Sequence, residues 1–147
     1  MTKWLLPACA AGLVFASAGS LETTAHAACK AVTCTFGKGV IKHITDLHCS
    51  GTYGKGVCTS TKKSRFTDEI CKPASIANSL ETLCKTMLND PSCEQTISSD
   101  GSTVTKATLD DKVGRDLAED CSETAKITVI HDKSPTIGIK TAHPGFQ

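Results

Sequence analysis

Residues Cys71–Cys93, CKPASIANSLETLCKTMLNDPSC, decide how this chain reads. Ile76, Leu80, Leu83 and Met87 fall three or four residues apart, with Cys84 and Leu88 on the same stripe, which is the spacing of an amphipathic helix with one inward face. Pro73 suits a first turn, where its missing N–H would be unpaired anyway. Asn89-Asp90-Pro91 ends the run, because proline pushes the residue before it out of the α region. The helix therefore carries a cysteine at each end and a third on its buried side.

Working outward, the same pattern recurs upstream. Val40, Ile41, Ile44 and Leu47 predict a short amphipathic helix over 39–48. Downstream of Cys93, the turn chemistry of Ser98-Ser99-Asp100-Gly101-Ser102 predicts two short strands, Glu94–Ile97 and Thr103–Ala107. Thr108 then caps an expected last helix, LDDKVGRDLAEDC, with Leu109, Val113 and Leu117 inward and Asp110 and Asp111 in its first turn. The tail switches to alternation at Ile127, Val129, Ile137 and Ile139, which predicts a β-hairpin across His131–Pro135. The expected fold class is mainly α, a small disulfide-stapled domain with short β-hairpin elements, with α+β as the alternative. The expected organisation is a signal peptide over 1–27, a cysteine-rich helical domain over 28–122 and a β-hairpin tail over 123–147. The tail contains no cysteine, so it either packs on the domain or extends from it.

The first 27 residues have the form of a secretory signal. Lys3 gives a basic start, Trp4 to Ala18 is an apolar run interrupted by Pro7 and Gly12, and Ala25-His26-Ala27 is a small-residue cleavage site. The run is too short and too broken for a membrane span. A lipoprotein signal, with Cys9 or Cys29 lipidated, is the alternative. Secretion to an extracellular, oxidising compartment gives the cysteines their meaning. Of the 9 in the chain, Cys9 leaves with the signal, and Cys29, Cys34, Cys49, Cys58, Cys71, Cys84, Cys93 and Cys121 remain as an even set. An even set in a short exported chain argues four disulfides, whose pairing the sequence does not choose.

Composition narrows the function classes. The formal net charge is +1, so nothing global recruits nucleic acid or an anionic membrane. The one tryptophan lies in the signal, leaving Tyr53 with Phe36, Phe66 and Phe146, too few for a base-stacking platform. No C-x-x-C occurs, and cysteines paired as disulfides cannot ligate metal, so neither a metal site nor a cofactor is expected despite His43, His48, His131 and His143. Thr35-Phe36-Gly37-Lys38-Gly39-Val40 is echoed by Thr52-Tyr53-Gly54-Lys55-Gly56-Val57. The glycines read as turns needing positive φ, or as anion-binding nests with lysine adding charge.

Two family resemblances bear on function. Leu88-Asn89-Asp90-Pro91-Ser92-Cys93-Glu94-Gln95-Thr96 resembles the LNxPxCExT stretch of elicitins, small sterol-binding proteins secreted by oomycetes, and Cys84-Lys85-Thr86-Met87 resembles the start of the same helix. The likeness covers Cys34 to Cys121; elicitins have two cysteines fewer, and the tail lies outside it. It implies an all-helical domain around an apolar cavity that accepts a sterol or fatty acid, lined here by Ile44, Leu47, Ile76, Leu80, Leu83 and Met87. Cys71-Lys72-Pro73 and Val129-Ile130-His131-Asp132 locally resemble pancreatic-type ribonucleases, which implies Lys72 on a phosphate and His131 as acid or base; that family's other histidine has no counterpart here. The expected function is a secreted, non-enzymatic binding protein for an apolar small molecule. The alternatives are an effector or toxin that engages a host protein through the Gly-Lys-Gly turns with Lys62, Lys63 and Arg65, and a small secreted ribonuclease.

Overall fold

The computed structural model describes residues 29–133 and 138–146. The expected signal peptide over 1–27, with Cys9, lies outside the described residues, as do the tip of the tail hairpin at 134–137 and Gln147. Among the described residues three α-helices are present: α1 (Lys38–His48), α2 (Val57–Thr61) and α3 (Ile76–Asn89). Seven strands accompany them: β1 (Arg65–Phe66), β2 (Glu94–Ile97), β3 (Thr103–Thr108), β4 (Gly114–Asp116), β5 (Ser122–Thr124), β6 (Lys126–His131) and β7 (Ile139–Pro144). They form two antiparallel sheets, one ordered β1-β4-β5 and the other β2-β3-β6-β7.

The mainly helical expectation, and the all-helical domain that the elicitin resemblance implied, are thereby corrected: two sheets organise the chain and the helices lie against them. The largest departure lies at residues 109–121, with α2 and β1 as elements the periodicity did not predict. Leu109 and Val113 are buried as a helical stripe would bury them, but Leu117 is 39% exposed and Asp116 is 1% exposed, the reverse of the expected helix. The segment runs instead through β4, which pairs with β1 (Phe66↔Gly114) and with β5 (Gly114↔Thr124), then through a 3-10 turn at Leu117–Glu119. A Cβ on Gly114 would collide with the Arg65 carbonyl and the Pro144 ring, so this crossing of two backbones needs glycine. Glycine costs about 1 kcal/mol inside a helix, and here close strand contact makes use of it.

Elsewhere the periodicities hold. On α3, Ile76, Leu80, Cys84, Met87 and Leu88 are buried, and the helix stops at Asn89, with Asp90 already extended ahead of Pro91. Its start is later than Pro73 suggested, because the backbone around Lys72 closes turns to Ser75 and Ile76 first. On α1, Ile44 and His48 are buried, while Val40, Ile41 and Leu47 are half-buried. The two expected strands after Cys93 form the β2–β3 hairpin, turned through Gly101 at φ +84. Across that turn Ser98, the Ser102 backbone and Lys140 hold the Asp100 carboxyl well below the usual carboxylate range. The tail hairpin is β6–β7, and it does not hang free: β6 pairs with β3 from Thr103↔His131 to Thr108↔Lys126.

The hydrophobic core forms where α3 and α1 cover one face of the larger sheet. It includes Phe36, Ile44, Phe66, Leu80, Met87, Ala107, Ile127, Val129 and Ala142. All eight described cysteines are paired: Cys29–Cys93, Cys34–Cys84, Cys49–Cys71 and Cys58–Cys121. Three of these close long loops, with sequence separations of 64, 50 and 63, where the chain-entropy model gives about 4 kcal/mol each. Among the described residues no helix is long and apolar enough to cross a membrane.

Gly114 separates the two readings of this segment. As a helix interior, Gly114→Ala would stabilise the protein by about 1 kcal/mol. In the β1–β4 crossing it is expected to destabilise by about 1–3 kcal/mol through overpacking. Thermal unfolding of the oxidised variant checks this: a Tm at or above wild type contradicts the crossing.

Candidate binding groove

The residues expected to line an apolar cavity are distributed between core and surface. Ile44, Ile76, Leu80 and Met87 sit in the packed core at 0%, 6%, 1% and 0% exposure. Leu47 is half-buried on α1, and Leu83 is half-buried on the side of α3 that faces a surface groove.

Two open grooves stand out among the described residues. The first, about 460 Å³, runs along α3 past Ser79, Thr82, Leu83 and Thr86 and is closed by Leu109, Asp110, Asp111 and Val113. The second, about 450 Å³, lies between the N-terminal strap and the edge of the larger sheet, and is lined by Lys30, Ala31, Val32, Gln95, Ile97, Thr103 and Lys133. Its geometry follows from covalent and polar ties. The strap Cys29–Cys34 is pinned at one end to Cys93, just before β2, and at the other to Cys84 on α3. Between them the Lys30 N–H donates to Gln95 Oε1 at 3.0 Å, and Gln95 Nε2 donates back to the Lys30 carbonyl at 3.1 Å. An amide side chain thus stands in for a strand neighbour at the sheet edge. The groove combines an apolar floor, Val32 with the 70% exposed Ile97, and two lysines at its rim. Ile97 is the most exposed of the large hydrophobic side chains among the described residues, and it lies beside these cations.

Sequence reasoning missed this groove because the strap reads only as a link between two cysteines. The signal available was Ile97 alone, an aliphatic residue next to the Ser98–Ser102 turn.

The Gly-Lys-Gly repeat has a different role from the one expected. Neither copy uses a positive-φ glycine; Gly37 has φ −65 and Gly56 has φ −87, and each sits immediately before a helix, α1 and α2 respectively. Tyr53 of the second copy lies between the guanidinium groups of Arg65 and Arg115, 5.4 and 5.1 Å from its ring centre. Lys62 and Lys63 are exposed, but Arg65 is 5% exposed and is spent on the Ser50, Gly51 and Phe66 carbonyls and on Asp68.

Buried polar groups form a second cluster, where α1 meets β1, β4 and β7. His48 Nδ1–H donates to the Ser64 carbonyl at 2.7 Å, and the His48 and His143 rings lie 5.7 Å apart, tilted by 34°. Ser64 Oγ donates to Asp116 Oδ1 at 3.1 Å and accepts from the Leu117 N–H at 2.9 Å. Burial pushes His48 down to about 4 and lowers His143 as well. Because Ser64 and Asp116 are both 1% exposed, the cluster is enclosed and serves structure.

Lys72 and His131, the pair behind the ribonuclease resemblance, are separated by burial. Lys72 is on the surface in an ion pair with Glu69 at 2.8 Å, whereas His131 is 0% exposed on the inner face of β6. A phosphate held by Lys72 would meet no imidazole from β6. Among the described residues no group of three or more His, Cys, Asp or Glu is placed to hold a metal ion.

The depressed His48 makes stability pH-dependent in a definite direction. Its contribution is complete above the unfolded value of 6.5 and is lost as pH falls towards about 4, where the buried ring must accept a proton. The loss is on the order of 3 kcal/mol. Urea unfolding at pH 7 and pH 4.5 is expected to show a smaller pH effect in His48→Gln than in wild type; an equal effect removes His48 as the cause.

No family model matches the chain, and comparison with curated proteins and with solved structures likewise gives no match.

Proposed function

We propose that this is an exported, non-enzymatic binding protein, and that its ligand is an anionic amphiphile such as a fatty acid, held in the groove between the strap and the sheet edge. The single observation carrying this reading is the combination of exposed Ile97 and half-buried Val32 with Lys30 and Lys133 in one groove. An alkyl chain removes the aliphatic floor from water at about 25 cal/mol per Å². An anionic head meets two ammonium groups that are compact point charges on flexible stems. A neutral sterol would use only the first of these. Four disulfides suit an oxidising compartment, which supports the exported reading. The strap itself depends on two of them, so the site is built by oxidation.

One observation favours a second reading, an effector that engages a host protein. β2 is the edge of its sheet, and Ile97 stands exposed on it, the arrangement to which an extended protein segment adds as a further strand. The carboxylates of such a segment would meet the same lysines.

Titration of the oxidised protein with a fluorescent fatty acid is expected to saturate at one site and to be lost on reduction. Replacing Lys30 and Lys133 together by alanine is expected to weaken binding about tenfold or more, corresponding to at least about 1.4 kcal/mol of lost head-group interaction. A fluorescent sterol serves as the uncharged comparison. Absence of saturable fatty-acid binding, or binding unchanged in the double variant, overturns the reading.

A further inference from the structure

The groove has an inner end that its open surface does not show. Ile97, Thr103 and His131 form one cross-strand row, Ile97↔Thr103 between β2 and β3 and Thr103↔His131 between β3 and β6. Residues paired directly across antiparallel strands share a face. The first two line the groove, and the third continues the same row beneath the strap. His131 is 0% exposed, and neither of its ring nitrogens has a hydrogen-bond partner. Backbone groups of Thr103 and of Thr33, on the strap, lie close enough to the ring to favour its protonated form, though neither meets the geometry of a full hydrogen bond. Leaving such a group unpaired costs about 1–3 kcal/mol, a cost that a ligand able to pair it would relieve.

We infer that His131 is the inner anchor of the groove: the strap at Lys30–Thr33 bows outward and the imidazole takes the anionic head of the ligand. This rests on the reading of the groove as an amphiphile site and assigns the residue that reads the head group. The strap is suited to the motion. Both its ends are held by disulfides, so it cannot detach, and the two Gln95 bonds tie only Lys30, next to Cys29, at an exposed position. Ala31 and Lys30 are exposed, while Val32 is half-buried against the core, so outward movement uncovers one aliphatic side chain that the ligand's alkyl chain would cover again.

The chemistry sets a signature. A buried neutral imidazole offers one N–H, and an anion beside it favours the doubly protonated ring, so binding near neutral pH draws a proton from the buffer. The charged and titratable residues on the surrounding elements are Lys30 on the strap, Glu81 and Lys85 on α3, Glu94 on β2, Lys106 on β3, Lys126 on β6, Asp132 and Lys133 after it, and Lys140 and His143 on β7. None of them contributes to the lowered pKa of His131, which comes from burial, so the arriving head would be its first charged partner.

The test is calorimetric titration at pH 7 with a long-chain alkyl sulfonate, whose head does not titrate, in two buffers of different ionisation enthalpy. Wild type is expected to take up close to one proton on binding and to bind up to about tenfold tighter per unit fall in pH. His131→Gln and His131→Asn are expected to bind more weakly, still saturably, with no proton uptake. Saturable binding without uptake in wild type, or equal uptake in both variants, overturns the inference while leaving the groove reading intact. No binding by any form overturns the groove reading and this inference with it. Should both variants fail to fold, the imidazole resonances of His131 in wild type decide. Titration midpoints raised by the sulfonate support the inference, and unchanged ones overturn it.

Discussion

The pairing of β3 with β6 is the constraint on which the rest depends. Six consecutive residue pairs join segments that lie on either side of the 109–125 excursion. Once they pair, Thr105, Ala107, Ile127 and Val129 present one wall to α3 and α1, and β7 follows as the next strand. The intervening chain is then forced to fold back on itself, and it does so as β4 and β5 of the smaller sheet. A non-local ladder of this kind carries loop-closure entropy, which the long-range disulfides reduce in the unfolded chain.

The interior is more polar than that of a domain held by apolar packing alone. His48, His131, His143, Asp116, Arg65, Thr105 and Thr128 are all buried. Most are satisfied locally: Thr128 donates to the Gly145 carbonyl, Arg65 to three carbonyls, and Asp116 accepts from Ser64 and from the Ala118 N–H. Gly145 is required at its position, with φ +91 and the Asp116 carboxylate packed against its α carbon, where any Cβ would clash. Such networks cost little when complete and much when broken, which ties the stability of this fold to the protonation of its histidines. His131 departs from the pattern, being buried with no side-chain partner, and it lies next to a surface where apolar and cationic groups converge.

The grooves differ in what they ask of a ligand. The α3 groove carries hydroxyls and the Asp90, Asp110 and Asp111 carboxylates, with no lysine or arginine among its lining residues. The strap groove carries two lysines, no carboxylate and an uncovered isoleucine. Opposite charge at similar volume means that an anionic amphiphile discriminates between them electrostatically before shape is considered.

Much of this was legible in the chain itself. Hydrophobic spacing located α1 and α3, Asp90-Pro91 marked where α3 stops, the serine- and glycine-rich turn placed β2 against β3, and alternation identified β6 and β7. These are local signals, in which a residue's neighbours within one or two turns decide its state. Residues 109–121 misled because Leu109, Val113 and Leu117 keep helical spacing, while the reason for Gly114 lies in Arg65 and Pro144, distant in sequence and adjacent in space. The same holds for the disulfide pairing, for the tail's place inside the sheet, and for the groove, which exists only because Cys29 and Cys34 pin four otherwise unremarkable residues over the row from Ile97 to His131. The sequence by itself determined the elements and the even cysteine set, since periodicity and parity are properties of the chain. Only the tertiary structure decided the sheet order, the pairing and the site, since those arise from contacts between segments that no local pattern encodes.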